Sequence, residues 1–164
     1  MTPVLCITGC GKCGKTTMVE RLVTELTGRG YVIGTLKHDV HGFSMDHEGK
    51  DTWRHKQAGA RAVAIIGPDQ VAVVRSTPQS EFSVYDAIQM LGPVDLVIAE
   101  GFKRTSFTKL EIFSSVRNEG QLLCGNDPQL LAVAGDLPVE THVPVFNWNE
   151  VGAIADFVEQ RLLK

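Results

Sequence analysis

The chain has 164 residues, 43% of them hydrophobic and 21% charged, with a formal net charge of −3. This is the balance of a soluble globular protein, long enough for one domain (residues 1–164) with a sizeable core. It excludes the strongly basic footprint of a nucleic-acid binder, and no apolar run is long enough to span a bilayer, so neither nucleic acid nor membrane is an expected partner. The sequence begins on a strand-like apolar pattern rather than on a secretory signal pattern, so a cytoplasmic setting is expected.

Pro3-Val4-Leu5-Cys6-Ile7-Thr8 is a short apolar run of buried-strand type. Downstream, Met18, Leu22 and Leu26, with Val19 and Val23, recur at helical spacing. Between them Gly9-Cys10-Gly11-Lys12-Cys13-Gly14-Lys15-Thr16 fits G-x-x-x-x-G-K-[ST], the phosphate-binding P-loop, in its required strand–loop–helix setting. The glycines let the loop curl so that backbone N–H groups face an anion, and the helix N-terminus adds partial positive charge. Lys15 is then placed to reach the β- and γ-phosphates and the Thr16 hydroxyl to ligate Mg²⁺. Cys6 and Cys124 read as small core hydrophobes. Cys10 and Cys13 form a C-x-x-C inside the loop, where small side chains keep the anion nest open. A redox or metal pair is the alternative, and a disulfide there would distort the nest.

Further strand patterns fall at 31–37, 62–67, 70–75, 94–100, 109–113, 130–134 and 144–147, with helical patterns at 16–27, 51–58, 83–91 and 150–163. This alternation predicts an α/β fold with a largely parallel sheet flanked by helices. Gly67-Pro68-Asp69 reads as a hairpin turn, so a small antiparallel part of the sheet is expected. The polar loop 38–50 is long, which in a compact domain marks a functional or mobile segment.

Several constellations surround the P-loop. His38-Asp39-Val40-His41-Gly42-Phe43 follows the second strand. Asp39 is a candidate Mg²⁺ ligand or water-orienting group; a solvated loop, or a transition-metal site from His38, Asp39, His41 and Asp46, are alternatives. The helix after Gly49 carries Lys50, Arg54, His55, Lys56 and, just beyond it, Arg61, able to gather around an anion or simply to face solvent. Trp53 on it suits the core or a stacking role. Asp95 to Glu100 is an apolar strand ending in an acid, followed by Gly101. Glu100 stands at the carboxyl end, where ligands bind in open α/β sheets and where a second acid holds Mg²⁺ in P-loop proteins; Asp95 stands at the opposite end. Asp136 is a candidate acceptor for the N1–H and N2–H₂ donors of guanine, whereas Asn126 and Asp127 suit a turn.

Together these segments resemble the MobB family of molybdopterin-guanine dinucleotide biosynthesis adaptor proteins. The matching pieces are Ile7 to Thr17; Leu36-Lys37-His38-Asp39 with His41-Gly42-Phe43; Gly49-Lys50-Asp51-Thr52-Trp53-Arg54-His55 through Ala60; Val97 to Lys103; Lys109-Leu110-Glu111; and Asn126-Asp127 with Ala132 to Asp136. The resemblance implies a P-loop GTPase-like fold, often dimeric, that binds GTP and hydrolyses it slowly. It implies an adaptor beside the guanylyltransferase that joins GMP to molybdopterin, in a bacterial or archaeal cytosol. By motif position Lys15, Thr16 and Thr17 would carry phosphate binding, and Thr16 and Glu100 with Asp39 would organise Mg²⁺. His38, His41, Arg54 and Lys103 would face the γ-phosphate or the pterin phosphate. The chain departs from the pattern at Cys13, Val40 and Lys12.

The expected function is therefore a single P-loop domain binding GTP and Mg²⁺ through Gly9, Gly11, Lys12, Cys13, Gly14, Lys15, Thr16 and Thr17, with Lys15, Asp39 and Glu100 as the catalytic set. Arg54, Arg104 or a partner subunit could supply an arginine finger, worth about 10³ to 10⁵ in rate. The rivals are a small-molecule kinase, a GTP-dependent metal chaperone, and a binding module that holds GTP only as a structural ligand.

Overall fold

The computed structural model describes residues 2–39, 41–77, 82–118, 121–136 and 139–164, so Val40 in the histidine segment lies outside it. The elements in chain order are β1 (Val4–Gly9), α1 (Lys15–Gly28), β2 (Ile33–Lys37), α2 (Asp51–Gln57), β3 (Ala62–Ile66), β4 (Val71–Arg75), α3 (Val84–Met90), β5 (Leu96–Glu100), β6 (Thr108–Phe113), β7 (Leu130–Gly135), β8 (Val145–Asn147) and α4 (Val151–Val158), which continues into a π-helical turn, Glu159–Leu163. The chain gathers into two compact units, Met1–His38 with Ile88–Lys164, and Asp39–Ala87.

The first unit is built on a six-stranded sheet of order β2-β5-β1-β6-β7-β8. Every pairing in it is parallel; Cys6, for example, stands beside Ala99 on one side and Lys109 on the other. Parallel strands are covered on both faces, which is why β1 and β5 read as unbroken apolar runs. Successive side chains alternate between the faces. Leu5, Ile7, Leu96, Ile98, Leu110 and Ile112 pack with Met18, Leu22 and Leu26 of α1 and with Ile154, Ala155 and Val158 of α4. The α1 residues recur every four positions, the stripe an amphipathic helix needs. At the far end of α1, Arg29 clasps the two helices together, pairing with Glu25 at 2.9 Å, Asp156 at 2.6 Å and Glu159 at 2.9 Å.

The opposite face is finished differently. Val4, Cys6, Val97 and Ala99 cluster with Leu36, Ile88, Leu91 and Val94. Among the described residues two charged side chains are fully buried, Lys109 and Glu111, at alternate positions of β6. Each is satisfied by loop backbone, as burial requires. Lys109 Nζ donates to the carbonyls of Thr105 and Phe107 and pairs with Asp127 at 3.0 Å. The Glu111 carboxylate accepts the backbone N–H groups of Leu123 at 2.6 Å and Cys124 at 2.8 Å. Burial pushes its pKa up, and those two donors oppose the shift.

In the second unit β3 and β4 pair antiparallel, from Ala62–Arg75 to Ile66–Val71, and the turn closes with Gly67 N–H donating to Gln70 O at 2.8 Å. The antiparallel pair is a separate two-stranded sheet, not part of the main one. Its apolar residues are open: Ile66 is 82% exposed and Val71 66%. Ser83 and Asp86 cap the start of α3 reciprocally, Ser83 N–H donating to the carboxylate at 2.8 Å and Asp86 N–H to the Ser83 hydroxyl at 3.2 Å. Among the described residues no helix is long and apolar enough to cross a membrane.

Candidate functional site

The loop between β1 and α1 sits at the carboxyl end of the central strand. Gly9 has φ +143°, and a Cβ there would stand 2.5 Å from the Ile112 carbonyl oxygen and 2.7 Å from Cys13 Sγ. No other residue fits that position. Gly14, at φ +96°, caps α1, and Met18 N–H donates to its carbonyl at 3.0 Å. Lys12 is held at φ 58°, and open space surrounds the place where a Gly11 Cβ would be. Lys15 Nζ lies across the loop, donating to the carbonyls of Cys10 and, at 3.3 Å, Gly9.

The second half of the site comes from β5. The Thr16 hydroxyl lies 3.1 Å and 3.0 Å from the two Glu100 carboxylate oxygens, to which it donates. Lys37, at the end of β2, approaches Glu100 Oε1 at 3.8 Å. His38 N–H donates to the Glu100 carbonyl at 3.2 Å, and Gly101 N–H to Ile7 O at 3.0 Å, so three strand ends are tied together beside the loop. The His38 ring packs on Phe102 at 5.2 Å. Lys103 follows on an exposed turn.

The loop thiols serve as internal fastenings. Cys10 Sγ donates to Asn118 Oδ1 at 3.2 Å, and that oxygen also accepts Ser114 N–H at 3.0 Å. Cys13 Sγ donates to the Cys10 carbonyl at 3.0 Å. Burial pushes the Cys13 thiol up to about 11, far from a reactive thiolate. All four cysteines are free.

Of the other residues named from the sequence, Asp136 lies just past β7 and is held by Ser115, whose N–H and hydroxyl donate to its two oxygens at 2.9 Å and 3.1 Å. Asp127 forms a turn, accepting Gln129 N–H at 2.9 Å, besides pairing with Lys109. Asp95 fastens the opposite end of the sheet, accepting Val32 N–H at 2.7 Å. Asp39, His41 and Arg54 belong to the second unit. There Asp39 accepts the His41 N–H at 2.8 Å, Asp46 accepts the Thr52 hydroxyl at 3.1 Å, and Arg54 is exposed on α2. Among the described residues no group of three or more His, Cys, Asp or Glu is placed to hold a metal ion.

Beside the loop the first unit forms a pocket of about 300 Å³, walled by Lys12, Thr17, Arg21, Arg117, Trp148 and Asn149 among others. The Trp148 ring lies 3.6 Å from where a Gly14 Cβ would be. Arg21 braces that wall, donating to Trp148 O at 3.3 Å and Asn149 Oδ1 at 3.4 Å. Sequence reasoning missed Arg21, Arg117, Asn118, Trp148 and Asn149. One signal was available, since Trp148-Asn149 follows the carboxyl end of β8, the side of an open α/β sheet where ligands collect.

Known proteins resemble this chain in sequence and in fold. The chain is 35% identical to the molybdopterin-guanine dinucleotide biosynthesis adapter protein of Haemophilus influenzae, covering 98% of this chain and 89% of that one. It is 29% identical to the protein of the same name from Escherichia coli, covering 100% and 95%. The crystal structure of Bacillus subtilis MobB superposes with a TM-score of 0.78 at 24% identity, over 98% of each chain, which establishes a common fold. The family profile described as MobB, molybdopterin guanine dinucleotide synthesis protein B, matches residues 4–136. With that match running from β1 through the P-loop and Glu100 to Asp136, the chain belongs to the MobB family.

Proposed function

We propose that this chain acts as an adapter in molybdopterin-guanine dinucleotide biosynthesis, and that it does so as a Mg²⁺-dependent GTP-binding protein with slow hydrolysis. The adapter role rests on the Haemophilus influenzae and Escherichia coli relatives that carry that name. The observation that carries the nucleotide reading is the pairing of Thr16 with Glu100 at 3.0 Å beside the P-loop lysine. A hydroxyl and a carboxylate side by side are hard oxygen donors, and Mg²⁺ in nucleotide sites takes one or two such protein ligands and fills the rest with phosphate and water. These residues fit the ion: Thr16 and Glu100 would hold it, and it would neutralise charge on the β- and γ-phosphates.

The chain's own groups supply the rest. Loop N–H groups and the α1 N-terminus bind the phosphates. Lys15 exchanges its carbonyl partners for phosphate oxygens, a stronger, charge-assisted bond. Lys37 and His38 stand at the Glu100 side, where the terminal phosphate or a pterin phosphate would lie. An arginine at the γ-phosphate is worth about 10³ to 10⁵ in rate. Arg54 and Arg104 are both exposed surface residues, and hydrolysis without an arginine at the γ-phosphate is slow. The partners are the guanylyltransferase, its molybdopterin substrate and a second copy of this chain; the open apolar hairpin supports the last.

The test is calorimetry of the reduced protein with GTP and ATP in Mg²⁺, with and without molybdopterin and the guanylyltransferase. GTP binding that strengthens with either partner supports the adapter reading. Phosphoryl transfer to the pterin would make the protein a kinase instead. GTP binding that persists undiminished in Lys15→Ala would overturn the site.

A further inference from the structure

The pocket beside the P-loop has a chemical bias. Arg21, Arg117 and Lys12 all line it, and among the described residues no carboxylate does. A nucleotide whose phosphates lie on Gly14 to Thr17 would carry its base into this pocket, against the Trp148 ring, so any base recognition here rests on the P-loop holding a nucleotide. The three cations are not equivalent. Lys12 belongs to the phosphate loop itself. Arg21 is engaged with Trp148 O and Asn149 Oδ1. Arg117 stands exposed on the loop after β6, and among the described residues no acceptor holds its guanidinium. Asp136, the carboxylate candidate for reading guanine, is not in this wall, and Ser115 occupies both of its oxygens.

We propose that Arg117 sets the base preference by donating to the O6/N7 edge of guanine in this pocket. A guanidinium is a planar fork of donors with no acceptor. Guanine presents O6 and N7, two acceptors at matching spacing; adenine presents N7 beside an N6 amino group, a donor facing a donor. Reading by Arg117 therefore uses the O6 and N7 acceptors rather than the N1–H and N2–H₂ donors that a carboxylate would bind.

Nucleotide analogues separate the two edges. Calorimetry in Mg²⁺ with GTP, ITP, 7-deaza-GTP, ATP and tripolyphosphate is the experiment. ITP keeps O6 and N7 and lacks the 2-amino group, so it binds within about twofold of GTP. The 7-deaza analogue loses one of the two bonds and binds about fivefold weaker, and ATP about tenfold weaker or more. In Arg117→Gln the GTP-to-ATP ratio falls toward about one, and Arg117→Lys does not restore it, because an ammonium lacks the fork. Thermal melting of both variants confirms that the exposed substitution leaves them folded. A weak ITP with a fully active 7-deaza-GTP overturns the proposal in favour of a carboxylate reader. Equal binding of all triphosphates, or an unchanged ratio in Arg117→Gln, also overturns it. If tripolyphosphate fails to bind in a Lys15-dependent way, the P-loop reading itself fails and takes the Arg117 assignment with it. Lys15-dependent tripolyphosphate binding without base discrimination sinks the Arg117 assignment alone.

Discussion

Two apolar strands of nearly identical character meet opposite fates. Leu-Val-Ile-Ala of β5 is wholly buried, each residue at 0% exposure, whereas Ala-Val-Ala-Ile-Ile of β3 leaves Ile65 58% and Ile66 82% open. β5 lies between β1 and β2 in the six-stranded sheet; β3 has one neighbour, β4. An apolar run states that a strand must be covered, not what covers it. For β5 the answer lies within the chain. For β3 and β4 a second copy is the occupant we propose.

This contrast can be broken by measurement. Leu22→Ala on α1 removes a fully buried side chain and should cost about 2–5 kcal/mol in urea unfolding. Ile66→Ala should cost less than about 0.5 kcal/mol at concentrations where the chain is monomeric. Equal costs would show that the hairpin is covered within one chain. Lys15→Ala leaves the sheet untouched and should weaken GTP about tenfold to a hundredfold, as expected for losing a charge-assisted bond; calorimetry beside a melting curve separates binding from folding. Ile66→Lys should shift the sedimentation of concentrated protein from dimer to monomer while GTP affinity at dilute protein holds. An unchanged dimer would place the interface elsewhere.

The smallest effect concerns the Arg29 clasp. Hydrogen bonds from Lys164, Arg29 and Tyr31 hold Glu159 down to about 2, from an ordinary 4.5. For a carboxylate lowered in the folded state, the stabilising contribution is present above pH 4.5 and is lost as the pH falls toward about 2. Glu159→Gln should therefore be slightly less stable at neutral pH and flatten the acid limb of a stability curve across that window. An acid limb identical to that of the parent protein would show that the clasp contributes nothing.

Much of the fold was legible in the sequence, as was the glycine loop between β1 and α1, for local reasons. Met18, Leu22 and Leu26 announce α1 because helical spacing is a property of the segment alone. The P-loop and Glu100 are legible because each ends or follows a strand, and the structure joins them through Thr16. What stayed hidden is assembled from distant pieces. The pocket draws Arg21 from α1, Arg117 from the loop after β6 and Trp148 from the end of β8, and nothing local links them. The burial of Lys109 was hidden too, because two separate loops supply its partners, Thr105 and Phe107 from one and Asp127 from the other. The antiparallel hairpin was legible as a turn, but not as a sheet of its own.

The strand order has a consequence for how the protein is made. β1 and the glycine loop are synthesised before the strands they pair with, since Val4 pairs with Val97 and Leu5 with Thr108. The glycine loop cannot close on its final geometry until β6 has left the ribosome, because Gly9 is seated against Ile112. Until β5 and β6 are made, β1 is an apolar segment with both edges unpaired, the kind of segment chaperones exist to shield. A chain released before Phe113 would lack the strand against which Gly9 is seated, and the loop would have no wall to close on.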